Sequence, residues 1–159
     1  MEDIEAFGVL GERLGLRLHY ADVRAMAALA ERLAPLGVTP ARATAVVYIA
    51  LHESCDQITL GRALGVNRAS TMKVVDELEA LGAIERRSGR DRRTNALHLT
   101  TAGAALRIEI EAVTREHDIA AFAPLSLTEQ AELGRLLAKL RLNDDVADAG
   151  QAAPASSKG

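Results

Sequence analysis

Tryptophan is absent, cysteine occurs once, and aromatic residues make up only 3% of the sequence. With so few aromatics, the core must be built from Leu, Val, Ile and Ala, which suits helices. A single cysteine excludes an internal disulfide and fits a reducing cytoplasm. No apolar run approaches the roughly 18 residues of a membrane span, so no membrane partner is expected. The first residues, MEDIEAFG, are acidic where a signal peptide is basic. No Gly-rich phosphate loop, nucleophile elbow or His-Glu-x-x-His occurs, so the common enzyme motifs are missing. The sequence reads as a non-enzyme without a cofactor or metal.

What is present is an ordinary globular composition: 159 residues, 48% hydrophobic, 26% charged, with a net charge of -3. A mild negative charge argues against indiscriminate coating of nucleic acid. It leaves room for a local basic site, because charges are screened beyond about 8 Å at physiological salt.

Leu10, Leu14, Leu18, Met26, Leu29 and Leu33 recur at helical spacing and predict one long helix over residues 4–34, with a bend near Gly11 or Gly15. Pro35 and Gly37 end it. Thr39 followed by Pro40 is a strong start for a second helix, whose broad apolar surface makes it central. His52 to Gln57 reads as a loop. Next, Thr59 is expected to cap a short helix ending at Leu64, and Gly65 to make a turn anchored by Val66. Asn67 caps a further helix that stops at Gly82. Two short helices joined by such a turn form a helix-turn-helix, with Gly61 small where the pair must approach. Leu64, Val66, Val74, Val75, Leu78 and Leu81 are the expected core residues of this module. Asn67, Arg68, Ser70, Thr71 and Lys73 belong to the end that a recognition helix presents to DNA.

The next stretch carries the charge. Arg86, Arg87, Arg90, Arg92 and Arg93 surround Ser88-Gly89, and the alternation at residues 96–99 predicts a half-buried return strand with Leu97 and Leu99 on one face and His98 on the other. A basic ribbon directly after a helix-turn-helix is a wing. Its arginines, Arg86, Arg90, Arg92 and Arg93 foremost, suit the phosphate backbone and the minor groove. Asp91 fits a wing-structuring role by pairing with Arg93.

This order of elements resembles the MarR family of bacterial winged-helix regulators across about residues 10–141. The most specific matches are Leu78-Glu79-x-x-Gly82, Asp91-x-Arg93 and Leu99-Thr100-x-x-Gly103. The resemblance implies a mainly α fold with a small β-hairpin wing. It also implies a homodimer on a palindromic double-stranded DNA operator, often acting as a repressor released by a small molecule, with Arg93 as the minor-groove contact. Residues 1–36 and 101–142 then supply dimerisation helices, residues 37–100 the DNA-binding domain and residues 143–159 a disordered tail. Independent support for the dimer comes from the apolar content of the outer helices. Thr100 or Thr101 starts one of these, and Ser126 to Glu129 forms a capping box for the last.

Effectors in the resembling family sit between the dimerisation helices and the winged domain. His19, Tyr20, Arg24, Tyr48 and His52, with Met26, are candidates to hold an aromatic acid or its coenzyme A thioester. Alternatives are a metal- or redox-responsive regulator of the same fold, through His52, Cys55 and His117, or a helical protein-interaction module. The charge of Glu53 and Asp56 should make Cys55 less reactive.

Overall fold

The computed structural model describes residues 4–52, 55–88 and 95–141. Arg90, Asp91, Arg92 and Arg93 at the hairpin tip, Glu53, and the tail from residue 143 lie outside the described residues. The chain forms two compact units, one through Asp118 and one from Ile119.

The predicted long first helix is interrupted. A 3-10 segment covers Ile4–Leu10, and Gly8 within it adopts a left-handed φ of 53°. The helix proper, α1, is Leu14–Leu33, and Gly15 lies inside it rather than at a bend. Arg17 Nε donates to the Gly11 carbonyl at 2.8 Å, which fixes the break.

Helix α2, Pro40–Leu51, starts where its sequence signal placed it, with Thr39 accepting from the Arg42 amide. Such a cap contributes about 1 kcal/mol. Ala43, Ala45, Val46 and Ile49 are all buried, so this helix is central. Helix α3, Gln57–Leu64, begins two residues before the expected Thr59 cap. Asp56 is the cap, and its carboxylate accepts from the Thr59 amide at 2.7 Å. Helix α4 is Arg68–Ala80, capped by Asn67 through the Ser70 amide.

Strands β1, Ile84–Ser88, and β2, Asn95–Leu99, pair antiparallel with Ile84 opposite Leu99, Arg86 opposite Leu97 and Arg87 opposite Ala96. The expected loop before α3 contributes to this sheet. Asp56 bridges Ala96, and the Leu97 amide donates to the Cys55 carbonyl at 2.7 Å. Leu33, Val46, Leu60, Val75, Leu78, Ile84, Leu97 and Ile110 fill the core from every one of these elements. Each such side chain contributes about 1.5–3 kcal/mol on burial. Two residues expected in that core differ: Val66 and Leu81 are exposed at 40% and 47%. Both sit at the ends of α-helical segments, where the chain turns away from the interior.

Helix α5 is Thr101–Ala121, and the expected cap is Thr100. Its hydroxyl accepts from the Gly103 amide at 3.0 Å and donates to the Gly82 carbonyl at 2.6 Å. A Cβ on Gly103 would lie 1.8 Å from the Ala83 carbonyl oxygen, so only glycine fits there. The second unit carries α6, Leu127–Arg141, started by the predicted box: the Ser126 amide donates to Glu129 at 2.8 Å and the Glu129 amide to the Ser126 hydroxyl. No single helix among the described residues is long and apolar enough to cross a membrane.

Gly103→Ala should lower unfolding free energy by about 3 kcal/mol or more, the overpacking penalty against rigid backbone, read from the urea midpoint. Asp56→Ala should cost about 1 kcal/mol at neutral pH. The Thr59 amide holds the Asp56 carboxyl below its ordinary 3.8. Its contribution is therefore present above that value and lost as pH falls below it. Denaturation of both proteins across an acid series should show their difference shrinking only below about 3.8.

Candidate nucleic-acid interface

Helix α4 is divided along its length by its own charges. Its C-terminal half carries Asp76, Glu77 and Glu79, and arginines from two other elements hold these carboxylates. Arg86 of β1 pairs with both Asp76 and Glu79. Arg42 of α2 pairs with Glu77 at 2.6 Å and also donates to the Gly37 carbonyl. Partly exposed pairs of this kind are each worth up to about 1 kcal/mol. Their more important effect is to neutralise acids that would otherwise repel phosphate, and to fix the helix to its neighbours from two sides.

Among the described residues, the N-terminal half makes no ion pair. Arg68, Ala69, Ser70, Met72 and Lys73 are all exposed there. Beside them, a groove of about 590 Å³ runs between α3 and α4, lined by Gln57, Ile58, Arg62, Arg68 and Met72 among others. The surface is therefore a helix end with cationic and apolar side chains, which is the geometry that inserts into a major groove.

Three residues expected at DNA make contacts within the protein. Thr71 is buried at 2% exposure, and its hydroxyl donates to the Asn67 carbonyl at 3.0 Å. It packs into the space that Gly61 leaves, where a Cβ would come within 2.6 Å of the Thr71 hydroxyl oxygen. The Asn67 side-chain oxygen accepts from the Ser70 amide at 2.9 Å, so it is committed to the cap. Arg86 is turned onto α4. It shares a strand face with Ile84, two residues away, and therefore points to the interior side of the hairpin. Arg87 takes the opposite face, more than half exposed, paired with Glu85 at 2.5 Å.

The candidate effector residues do not converge. Phe7, Tyr20 and His19 form one aromatic group, with ring centroids 5.5 and 5.7 Å apart. Tyr48 and His52 stack at 4.0 Å, and His52 Nδ1 lies 2.9 Å from the Tyr48 carbonyl. A separate pocket of about 280 Å³ is lined by Leu29, Pro40, Ala43, Thr44, Val47, Tyr48, Leu51, Ile110 and Thr114. Of the predicted set only Tyr48 lines it; His19, Tyr20, Arg24 and His52 do not. Thr44 and Thr114 donate to the Pro40 and Ile110 carbonyls of their own helices, so the donor of each hydroxyl is already used. The apolar faces of α2 and α5 that build this pocket were legible as helical stripes, but their pairing was not.

Cys55 is buried, and burial first, then the Asp56 charge, push its thiol up. His117 is also buried. Among the described residues no three His, Cys, Asp or Glu side chains group to hold a metal ion.

Comparison with known proteins agrees with this geometry. The MarR family profile matches residues 36–94, from the end of α1 into the hairpin. A protein of Thauera aromatica described as a transcriptional regulatory protein for the hcr operon is 33% identical over 139 residues, 86% of this chain and 84% of its own. The structure of CouR, a transcriptional repressor bound to a 23-mer DNA duplex, superposes with a TM-score of 0.80 at 26% identity, covering 84% of this chain and 96% of CouR. The MarR family protein Rv2887 of Mycobacterium tuberculosis, in complex with salicylic acid, superposes at 0.67 with 28% identity, over 80% and 96% of the two chains. A mainly helical fold, a two-stranded wing after a helix-turn-helix and a regulator relative matched over most of both lengths lead to one assignment: the chain belongs to the MarR family of transcriptional regulators.

Proposed function

We propose that this regulator is a cytoplasmic homodimer that binds a palindromic operator, represses from it and is released by a small molecule. The observation that carries the reading is the exposed N-terminal half of α4, flanked by a helix end fixed through Arg86 and Arg42. Arg68, Ser70 and Lys73 face the major groove. Arg90, Arg92 and Arg93 follow the backbone into the minor groove, with Asp91 directing Arg93. Thr71 holds α4 from within, Asn67 caps its N-terminus, and Arg86 anchors the wing root.

A second copy of the chain gives the exposed apolar side chains a place. Val9, Leu10, Leu14 and Leu18 in the N-terminal region, and Leu127, Leu136 and Leu140 in the second unit, are all exposed. Burying them against a twin supports a dimer with two α4 helices about 34 Å apart, one DNA turn. CouR on its duplex supports the DNA partner, and Rv2887 with salicylic acid supports an aromatic effector. The pocket beneath α2 fits a ring-sized effector: a cavity of about 150 Å³ already holds benzene. Among the described residues no charged side chain lines it, so the carboxylate of an aromatic acid, or the carrier of an acyl thioester, would remain at the mouth.

Fluorescence anisotropy on the duplex upstream of the chain's own gene, across a salt series, tests the reading. Tight, selective, salt-steep binding is expected; a flat salt response points to a protein partner instead. Arg93→Ala should weaken binding at least tenfold and reduce the log-log salt slope by about 1 per wing, leaving the dimer intact. With salicylate as probe, the melting temperature should rise. Thr44→Phe, which blocks the pocket mouth, should abolish that rise while operator affinity without ligand stays within about twofold of the unsubstituted chain.

A further inference from the structure

The groove between α3 and α4 has a composition that phosphate binding does not explain. Met72 is 45% exposed and Ile58 is 63% exposed, and both line it alongside Arg62 and Arg68. Single exposed apolar residues are ordinary. Here two of them, from different helices, border the same opening between cationic side chains, on the face that the operator reading sets against the duplex.

The major-groove edges of the bases offer hydrogen-bond donors, acceptors and one apolar group, the C5 methyl of thymine. A methionine pressed on a polar edge would strip its water without replacing the hydrogen bond, which costs free energy. Pressed on a methyl it removes two apolar surfaces from water at once. An unbranched thioether adapts to such a contact better than a branched side chain.

We infer that Met72, supported by Ile58, is a specificity-determining residue that reads the C5 methyl of a thymine in each half-site. The inference rests on the operator-binding reading above. Arg68 lies four residues before Met72, about one helical turn, so the two are about 6 Å apart along the helix, against a rise of about 3.4 Å per base pair. Arg68, whose fork matches guanine O6 and N7, therefore reads a guanine one or two base pairs from that thymine.

The test uses the full-length chain and duplexes it enriches from a random pool. Thymines in the enriched site are replaced by deoxyuridine, one symmetric pair at a time, and affinity is measured at fixed salt. Deoxyuridine lacks only the methyl. One pair should weaken binding about fifteenfold, corresponding to about fourfold for each methyl-sized group withdrawn from contact. In Met72→Ala the thymine-to-uracil ratio at that pair should fall to about one, while Met72→Leu should retain most of it. Because Met72 is exposed, both variants should melt like the unsubstituted chain. An enriched site indifferent to uracil at every position, or a ratio that survives in Met72→Ala, overturns this inference alone. A pool that yields no enriched duplex overturns the operator reading and this inference with it.

Discussion

The end of α4 and the root of the wing meet α5 at the contact between Gly103 and the Ala83 carbonyl. No side chain fits between them. The Thr100 amide donates to that same carbonyl at 3.1 Å, and the Thr100 hydroxyl joins the Gly82 carbonyl to the start of α5. Gly82 itself turns the chain out of α4 with a φ of 72°. Four segments are tied within a few residues: the end of α4, the root of β1, the end of β2 and the first turn of α5. The pocket that α5 helps to line is therefore tied through this junction to the wing root and to α4.

Charge then divides the labour along α4. Acids gathered on its C-terminal half would oppose DNA if left open, but each is held by an arginine from a neighbouring element. The pairs are partly exposed and individually modest in energy. Together they fix the helix from the α2 side and from the wing side, which leaves the N-terminal half presenting Arg68, Ser70, Met72 and Lys73. The chain can therefore be acidic overall and still offer a cationic surface at the start of α4.

Much of this was legible in the sequence wherever a local rule decided it. Thr39-Pro40, Asn67, Gly82 and the Ser126 box each act on backbone groups a few residues away, so spacing alone placed the helix ends. The Leu99-Thr100-x-x-Gly103 signature proves to be a junction whose glycine is required by a backbone approach. Where long-range geometry decides, the sequence was less informative. Asp56 and Thr59 are both competent caps, and the choice of Asp56 follows from its bridge to Ala96 forty residues later. Arg86 looked like a DNA contact because it belongs to a basic cluster. Its parity with Ile84 was the available signal that it faces inward. Thr71 sits near the N-terminus of α4 yet lies on the buried stripe it shares with Val75 and Leu78. The pocket brings together α1, α2 and α5, and nothing local to His19, Arg24 or His52 told that they stand away from it.

The central claim is that two copies of α4 and its wing engage one DNA site with two-fold symmetry. Hydroxyl-radical footprinting of the full-length chain on a duplex recovered from its own genome tests this most directly. The account predicts two protected tracts related by a dyad, centred about one turn of DNA apart, each flanked by minor-groove protection from a wing. A single tract without a partner, or uniform protection indifferent to sequence, would contradict it.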